Sequence, residues 1–445
     1  MSASKLSRRD FLRGAAGATA AATLAPVAGA VSASAPQQDE IVLNMWNFAT
    51  NRFEWLGNFI EELWAPAYPN VTVNVEITPH NDLWPKLQAV FAGGTGIPDI
   101  VDVGTGRLGQ FMHDPDNEPF IPLDDRLGDQ LNDLTIVSGT KTWTVRDRIF
   151  GIGNEVNPVL LYYRHDLFDE MGLDAEGPET WQDFVDQLGP AVRDAGTGLF
   201  PIGTTNWSDF FIQYHQAGGQ FFDTEGNVLV HEDPLAAEVL AWQKAQLDSG
   251  VYVEQGAGVA QYALMNEDAY VTIWGAPWYQ GFMKQRAPEL AGKWKMRYLP
   301  VWAEGGHLTV PRGGTGMCIT AASEIADTAW DFIREANLTV EGSLLAFRRM
   351  NLFPSYKPAW DEDVLYRTDD YFSGQKPAEF IATAAEAMAP AIIDNYWSLL
   401  IDSLARIAVQ GVMLEGADPA AALAEAVDDF EFNAATGSSL SQRAW

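Results

Sequence analysis

Aromatic side chains stand beside small polar residues at four breaks in the predicted secondary structure. These four segments are MWNF at 45–48, TNWSDFF at 205–211, WGAPW at 274–278 and DNYWS at 394–398. A flat ring with amide and carboxylate neighbours suits a ligand that has an apolar face and a polar rim. A sugar ring is such a ligand, because axial C–H groups form its face and hydroxyl groups form its edge. The pattern predicts a carbohydrate site; the alternative is that these rings close the hydrophobic cores.

One further motif, GTGRLG at 104–109, matches the G-x-G-x-x-G pattern of dinucleotide sites. It follows the third predicted strand instead of the first, and Pro115 leaves room for only a short helix. This context favours a glycine turn at a strand end. The sequence has no P-loop, G-x-S-x-G, H-E-x-x-H or C-x-x-C spacing, and its six histidines form no pair at ligand spacing. We therefore expect no catalytic residue, no metal and no cofactor.

The 445 residues carry a formal charge of −32, from 28 Lys and Arg against 60 Asp and Glu. Residues 1–30 contain one lysine, three arginines and one aspartate, a net +3, so a chain without them carries −35. Such a surface repels nucleic acid and anionic lipid. Cys318 is the only cysteine, so no disulfide can form within the chain.

The N-terminus has the order of a twin-arginine export signal. LSRRDFLRG carries Arg8 and Arg9, followed by an alanine-rich, weakly apolar run that is too short to span a membrane. Small-residue cleavage sites end at Ala30 and Ala35, and Pro36 disfavours the second. We predict a signal peptide at 1–30 and a periplasmic or extracellular location.

Hydrophobic periodicity predicts strands at 41–48, 71–78 and 97–104, with a helix after each of the first two. A β-α-β-α-β run is typical of a parallel sheet covered by helices, in which ligands sit at the carboxyl ends of the strands. Those ends are Trp46 to Phe48, Thr78 to Asn81 and Gly104 to Arg107.

A second α/β pattern begins near residue 151. NPVLLYYRHDLF at 157–168 predicts a strand, and Thr180 caps a helix. Asp233 begins another helix, and 418–432 is an amphipathic helix near the C-terminus. The length of the chain also favours two domains over one.

Five segments, in order and spacing, carry a family resemblance: PDIVDVG, GIGNEVNPVLLYYRHDLF, GPETWQDF, WGAPW and NYWS. The chain resembles the extracytoplasmic solute-binding proteins of sugar-importing ABC transporters, the branch that includes maltose-binding protein. The resemblance covers essentially all of the mature chain. It implies an α/β, two-lobe periplasmic-binding-protein-like fold (type II), with each lobe a sheet flanked by helices. It also implies crossover hinge strands and closure on a ligand without catalysis.

From this resemblance we predict an N-lobe of 31–153 with 308–357, and a C-lobe of 154–307 with 358–445. Crossovers are expected near Gly153, Gly305-Gly306 and Pro358.

The resemblance also implies roles for individual residues. Trp278 matches the sugar-stacking tryptophan of the family, Trp397 matches its late stacking aromatic, and Trp207 to Phe210 match its C-lobe platform. Glu155 and Asn157 lie where the family places an acidic hydroxyl acceptor, and either could bind. The predicted ligand site comprises Trp46, Asn47, Thr105, Arg107, Glu155, Asn157, Trp207, Asp209, Trp274, Trp278, Arg312 and Trp397.

Gly104 to Arg107 replace a segment that carries an aromatic and an acid in maltose binders, which argues against maltose in particular. The predicted function is capture of a neutral sugar or oligosaccharide by a monomer that delivers it to an ABC permease. One alternative is an exported nicotinamide-dependent oxidoreductase. Another is the same fold binding a polyamine or another non-sugar solute through acidic and cation–π contacts.

Overall fold

In a computed structural model of the chain, the described residues are 40–48, 52–256, 260–303 and 306–436. The predicted signal peptide at 1–30 and the predicted crossover residue Gly305 lie outside them.

The strands form a five-stranded sheet, a three-stranded sheet and two short pairs. They are β1 Ile41–Asn47, β2 Val71–Ile77, β3 Ile100–Gly104, β4 Thr144–Val145, β5 Arg148–Ile149, β6 Ile152–Gly153, β7 Leu160–Arg164, β8 Phe200–Ile202, β9 Tyr252–Glu254, β10 Thr272–Gly275, β11 Trp294–Arg297 and β12 Thr315–Ile319.

The five-stranded sheet has the order β2-β1-β3-β12-β6. Strands β1, β2 and β3 are parallel, as the β-α-β-α-β pattern predicts. Strand β12 returns from far along the chain and pairs antiparallel with both β3 and β6. The carboxyl end of β3 therefore lies beside the start of β12.

The second sheet has the order β10-β7-β11, and both of its strand pairs are antiparallel. Strands β8 and β9 form a separate parallel pair. The WGAPW segment leaves this sheet at the end of β10.

Fifteen α-helices occur in the described residues: α1 Arg52–Phe59, α2 Ala65–Ala67, α3 His80–Gly93, α4 Asp124–Leu127, α5 His165–Met171, α6 Trp181–Asp194, α7 Ser208–Gln216, α8 Pro234–Asp248, α9 Ala260–Asn266, α10 Pro277–Arg286, α11 Ala326–Asn337, α12 Val340–Met350, α13 Pro377–Glu386, α14 Trp397–Ser403 and α15 Pro419–Ala435.

Four of the α-helices begin with a side-chain cap, at Thr180, Asp233, Thr339 and Asp418. Thr180 Oγ1 accepts a hydrogen bond from the Asp183 amide at 3.1 Å. Asp233 and Asp418 cap α8 and α15 in the same way. Each cap satisfies an amide that would otherwise have no partner in the first turn.

Two helices continue through π-helical turns. Helix α1 runs on through Ile60–Trp64 into α2 and ends at Ala67, one residue beyond Pro66, where the sequence predicts its end. Helix α14 continues through Leu404–Val409 and Gly411–Glu415. The segment Trp397–Glu415 is long and apolar enough to cross a membrane, but 56% of its apolar window is buried inside the protein, as in a core helix.

The buried apolar residues form separate cores around the two sheets. Alternate residues of the five-stranded sheet face opposite ways: Leu43 and Met45 pack with α1, whereas Trp46 and Val101 pack with α3. The three-stranded sheet has two further cores. Helix α12 contributes to the cores of both sheets, because Leu345 packs in a core of the five-stranded sheet and Leu344 packs in a core of the three-stranded sheet. The lobe boundaries predicted from the sequence stay a prediction.

Candidate functional site

Asn157, Trp278 and Arg312 meet where the predicted lobes join. The backbone amide of Arg312 donates to the Asn157 carbonyl at 2.9 Å. Trp278 Nε1 donates to the Arg312 carbonyl at 3.1 Å, and the Arg312 guanidinium lies 5.8 Å from the centroid of the Trp278 ring. The Trp278 side chain is half-buried. These contacts bring an aromatic ring, an amide and a cation into one cluster.

The Asn157 amide is oriented by the glycine pair that precedes β12. Its Nδ2 lies 3.5 Å from the Gly313 carbonyl, and its Oδ1 is buried with no hydrogen-bond partner among the described residues. Gly314 has φ of +110°, and a Cβ there would lie 2.5 Å from Asn157 Nδ2. Glycine is therefore required at 314 for both its backbone conformation and the approach of Asn157.

Glu155, just past the predicted N-lobe boundary at residue 153, joins Asn47 of that lobe in a buried ionic network. Arg52 Nη2 donates to Glu155 Oε1 at 2.5 Å, and Arg52 Nη1 lies 3.4 Å from Asp102 Oδ2. Asn47 Nδ2 donates to the same Asp102 oxygen at 2.8 Å. Burial raises the pKa of the Asp102 and Glu155 carboxyls, while the positive charge of Arg52 lowers it. Glu155 is thus held by an ion pair inside the protein.

Arg312 reaches across to the segment that carries Trp207. Its Nη2 donates to Ser208 Oγ at 3.3 Å, at the start of α7. The Trp207 ring is half-buried and packs edge-to-face against Phe211 and Trp397, at centroid distances of 5.4 and 5.8 Å. Trp207 therefore borders the cluster formed by Asn157, Trp278 and Arg312.

Trp274 and Asp209 lie behind that cluster, in the core. Trp274 is 2% exposed, and its Nε1 donates to Asp209 Oδ1 at 2.8 Å. The amide of Gly203 donates to the other Asp209 oxygen at 2.6 Å. Burial raises the pKa of Asp209, and the charge of Arg312 opposes that shift. These two residues position α7 and the end of β10.

The remaining N-lobe residues of the predicted site are dispersed. The amide and Oγ1 of Thr105 both donate to the Gly314 carbonyl, at 3.0 and 3.1 Å. The Arg107 guanidinium lies 5.7 Å from the Trp84 ring centroid, and burial lowers the pKa of Arg107. Trp46 lies on the α3 side of the sheet, with the Lys86 ammonium 3.8 Å from its ring centroid.

Trp397 is 2% exposed and is enclosed by aromatic rings of the predicted C-lobe and by the backbone of Gly106. Its indole therefore has no open face in this conformation.

Sequence reasoning missed Arg52, Asp102 and Gly314. Asp102 carried a usable signal, because it is a charged residue inside the apolar strand IVDVG, and buried charges require partners. Arg52 and Gly314 carried none, since their importance comes from partners that are distant in sequence.

Half-buried indole faces, an unpartnered amide oxygen and a guanidinium can stack on and hydrogen-bond a polyhydroxylated ring. Groups of His, Cys, Asp and Glu suited to a metal ion are absent from the part of the chain that the structure describes. After β3, GTGRLG leads into a 3-10 turn at Gly109–Phe111, without the helix that a dinucleotide pyrophosphate requires.

Comparison with known families finds a match over most of the chain. Residues 51–337 match the family of bacterial extracellular solute-binding proteins. Residues 5–25 match the signal sequence of the twin-arginine translocation pathway. The predicted export by that pathway is confirmed.

Two curated relatives are arabinooligosaccharide-binding proteins. That of Halalkalibacterium halodurans is 24% identical over 341 residues, which cover 74% of this chain and 75% of the relative. That of Bacillus subtilis is 24% identical over 349 residues, which cover 76% and 78%.

Solved structures share the fold at low identity. The sugar-binding protein MalE of Xanthomonas citri has a TM-score of 0.73 at 18% identity and covers 91% of this chain and 100% of its own. An ABC transporter associated binding protein of B. animalis subsp. lactis, in complex with beta-1,6-galactobiose, has a TM-score of 0.73 at 17% identity and covers 89% and 98%. The predicted two-lobe α/β fold is confirmed. Neither the oxidoreductase nor the polyamine alternative is supported.

Proposed function

The chain belongs to the bacterial extracellular solute-binding proteins, and we propose that it captures a neutral sugar or short oligosaccharide between its two lobes and delivers it to an ABC importer. The curated relatives that bind arabinooligosaccharides support this ligand class. The observation that carries the proposal is the cluster of Trp278, Asn157 and Arg312, which combines a stacking surface with hydrogen-bonding groups.

Asn157 is the polar group that meets the ligand, and Glu155 supports it from behind. Glu155 already pairs with Arg52, and displacing that pair would leave a buried guanidinium short of a counter-charge. Asn157 Oδ1 accepts no hydrogen bond from any of the described residues. A sugar hydroxyl donating to this oxygen would satisfy a buried acceptor, which gives the ligand a net advantage.

The remaining predicted contacts follow from the same placement. Trp207 borders the ligand from the C-lobe side, and Arg312 reaches from the segment 308–357 to Ser208 beside it. Thr105 lies on the N-lobe side next to Gly314. Trp274 and Asp209 act indirectly, by holding the end of β10 and the start of α7 together.

The lobes are 31–153 with 308–357 and 154–307 with 358–445. The core that includes α1 lies wholly within the first lobe, and the core that includes α6 lies within the second apart from Val310, which supports this division. The third core joins the second lobe to Leu344 and Phe353, close to a crossover. The crossovers run near Gly153, Gly305-Gly306 and Pro358. Ser355 Oγ donates to the Gly153 carbonyl, and the Val156 amide donates to the Phe353 carbonyl at 2.8 Å, so two crossovers run side by side. Bending at a few such residues lets lobes close as rigid bodies.

The protein acts as a monomeric carrier and not as an enzyme. Its strongly negative charge disfavours nucleic acid as a partner. The buried carboxylates of Asp102, Glu155 and Asp209 are held by Arg52, Trp274 or backbone amides, so they serve structure and not acid–base chemistry.

A thermal-shift screen tests the proposed function. Purified mature protein is mixed with arabinooligosaccharides, β-galactobiose, maltose, spermidine and NADPH, since a ligand that binds only the folded state raises the melting temperature. We expect a saccharide to raise it and to be recovered unchanged. A shift with spermidine or NADPH alone, or hydrolysis of the saccharide, would contradict the proposal.

A further inference from the structure

Segments 104–113 and 394–398 touch, although the sequence assigns them to opposite lobes. Ser398 Oγ donates to the Gly106 carbonyl at 2.6 Å, and Asn395 Nδ2 donates to the Met112 carbonyl at 3.3 Å. The rings of His113 and Tyr396 are 4.5 Å apart between centroids. We call these two segments the latch. It contains the GTGRLG motif, of which only Thr105 is among the ligand contacts proposed above.

Two glycines of the motif let the segments approach this closely. A Cβ on Gly109 would lie 2.5 Å from Asn395 Cα and 2.9 Å from the Asp394 carbonyl oxygen, and both are backbone atoms. A Cβ on Gly106 would lie 2.4 Å from Trp397 Cδ1. Contacts of this length are sterically forbidden, so any larger residue would push the segments apart.

Trp397 is the side chain that fills the contact. Its indole rests on Gly106, while Phe211 and Phe221 pack edge-on against it at 5.6 and 5.3 Å between centroids. Opposite charges also act across this contact: the carboxylate of Asp402 on α14 raises the pKa of Arg107, which burial lowers. Trp397 is thus covered on one side by its own predicted lobe and on another by the motif of the facing lobe.

We propose that the latch forms only when the lobes close, and that the glycines of GTGRLG provide the seat for Trp397 and for the backbone at 394–395. Trp397 then strengthens ligand binding by stabilising the closed form, and not by stacking on the sugar. This inference rests on the proposed function, because it takes the two segments to belong to lobes that separate without ligand. A ligand shifts the population toward the closed form only if it binds that form more tightly than the open form. The latch lowers the free energy of the closed form further.

Gly109→Ala is the decisive variant. Gly109 lies in a 3-10 turn and has no left-handed backbone, so its conformation suits alanine, and the three atoms nearest to an added Cβ all belong to residues 394 and 395. Gly93→Ala is the matched control, because Gly93 ends helix α3 of the same lobe and a Cβ there meets nothing within 4 Å. Ser398→Ala is a second test, which removes the bond to Gly106 without adding an atom.

For each variant, calorimetry measures the affinity for arabinooligosaccharides, scattering measures the radius of gyration with and without them, and the melting temperature is taken without ligand. We expect Gly109→Ala to bind at least about tenfold more weakly and to contract less, with an unchanged ligand-free melting temperature. Ser398→Ala should weaken binding by a smaller factor, and Gly93→Ala should behave as wild type.

Wild-type affinity in Gly109→Ala overturns the latch. So does a fall in its ligand-free melting temperature, whatever its affinity, because the contact would then be a permanent part of the fold. A wild-type protein that neither binds nor contracts refutes the proposed function instead. In that case, hydrogen exchange at 396–400 decides: faster exchange in Gly109→Ala at an unchanged melting temperature supports a separable latch, and a lowered melting temperature overturns it.

Discussion

Replacing Trp278 with alanine tests whether its indole contacts the ligand. A tryptophan buries roughly 150–250 Å² when fully covered, and Trp278 is already half-buried, so a stacked sugar would cover about 80 Å² more. At ~25 cal/mol per Å² this contact is worth about 2 kcal/mol. The dissociation constant of Trp278→Ala should therefore rise roughly 30-fold.

Calorimetric titration with arabinooligosaccharides measures this change, and Trp242→Ala supplies the control. Trp242 is also half-buried, and its Nε1 donates to Gln182 Oε1 at 3.1 Å, much as Trp278 Nε1 donates to the Arg312 carbonyl. Both variants lose one indole hydrogen bond and similar packing, so both should melt slightly lower without ligand. Only Trp278→Ala should lose affinity. A folded Trp278→Ala protein that binds within about twofold of wild type would refute the reasoning and assign Trp278 to the core.

Three further outcomes are expected. Replacing both Arg8 and Arg9 with lysine should retain the precursor in the cytoplasm, because a receptor recognises the arginine pair. The control variant Arg13→Lys should be exported. Secretion of the double variant would indicate the general secretory route. A saturating saccharide should lower the radius of gyration and remain intact over hours, and its consumption would favour an enzyme. Glu155→Ala should lower the free energy of unfolding in urea by about 3 kcal/mol, since Arg52 then pairs with Asp102 alone. Glu155→Gln keeps a hydrogen-bond acceptor and should lower it by about 1 kcal/mol. Equal losses would mean that the ion pair does not support the fold.

Local patterns predicted the elements whose signals lie within one stretch of sequence. The α6 helix illustrates this, because Thr180 caps it and Trp181, Phe184 and Leu188 face the core at helical spacing. The parallel pairing of β1 with β2 and β3 likewise follows from the predicted β-α-β-α-β order of the elements. By contrast, the antiparallel position of β12 and the π-helical turn after α1 depend on distant packing, which no local period encodes.

The candidate site was predicted from residue types, which do not determine the orientation of each ring. Trp274 and Trp278 are four residues apart in one aromatic segment, yet one is buried against Asp209 and the other is half-buried beside Arg312. Glu155 finds its partner Arg52 103 positions earlier, a pairing that spacing cannot reveal. Types of side chain could thus be inferred from the sequence, whereas their exposure is decided by tertiary contacts.

The return of β12 to the first sheet has a consequence for biosynthesis. Thr105, just after β3, bonds to Gly314, which the ribosome adds 209 residues later. Until then one edge of β3 has no partner strand, and an open edge is prone to pair with other chains. The five-stranded sheet therefore cannot be completed until more than two-thirds of the polypeptide has been made. Such delayed completion suits a translocation machinery that accepts cargo only after folding has finished.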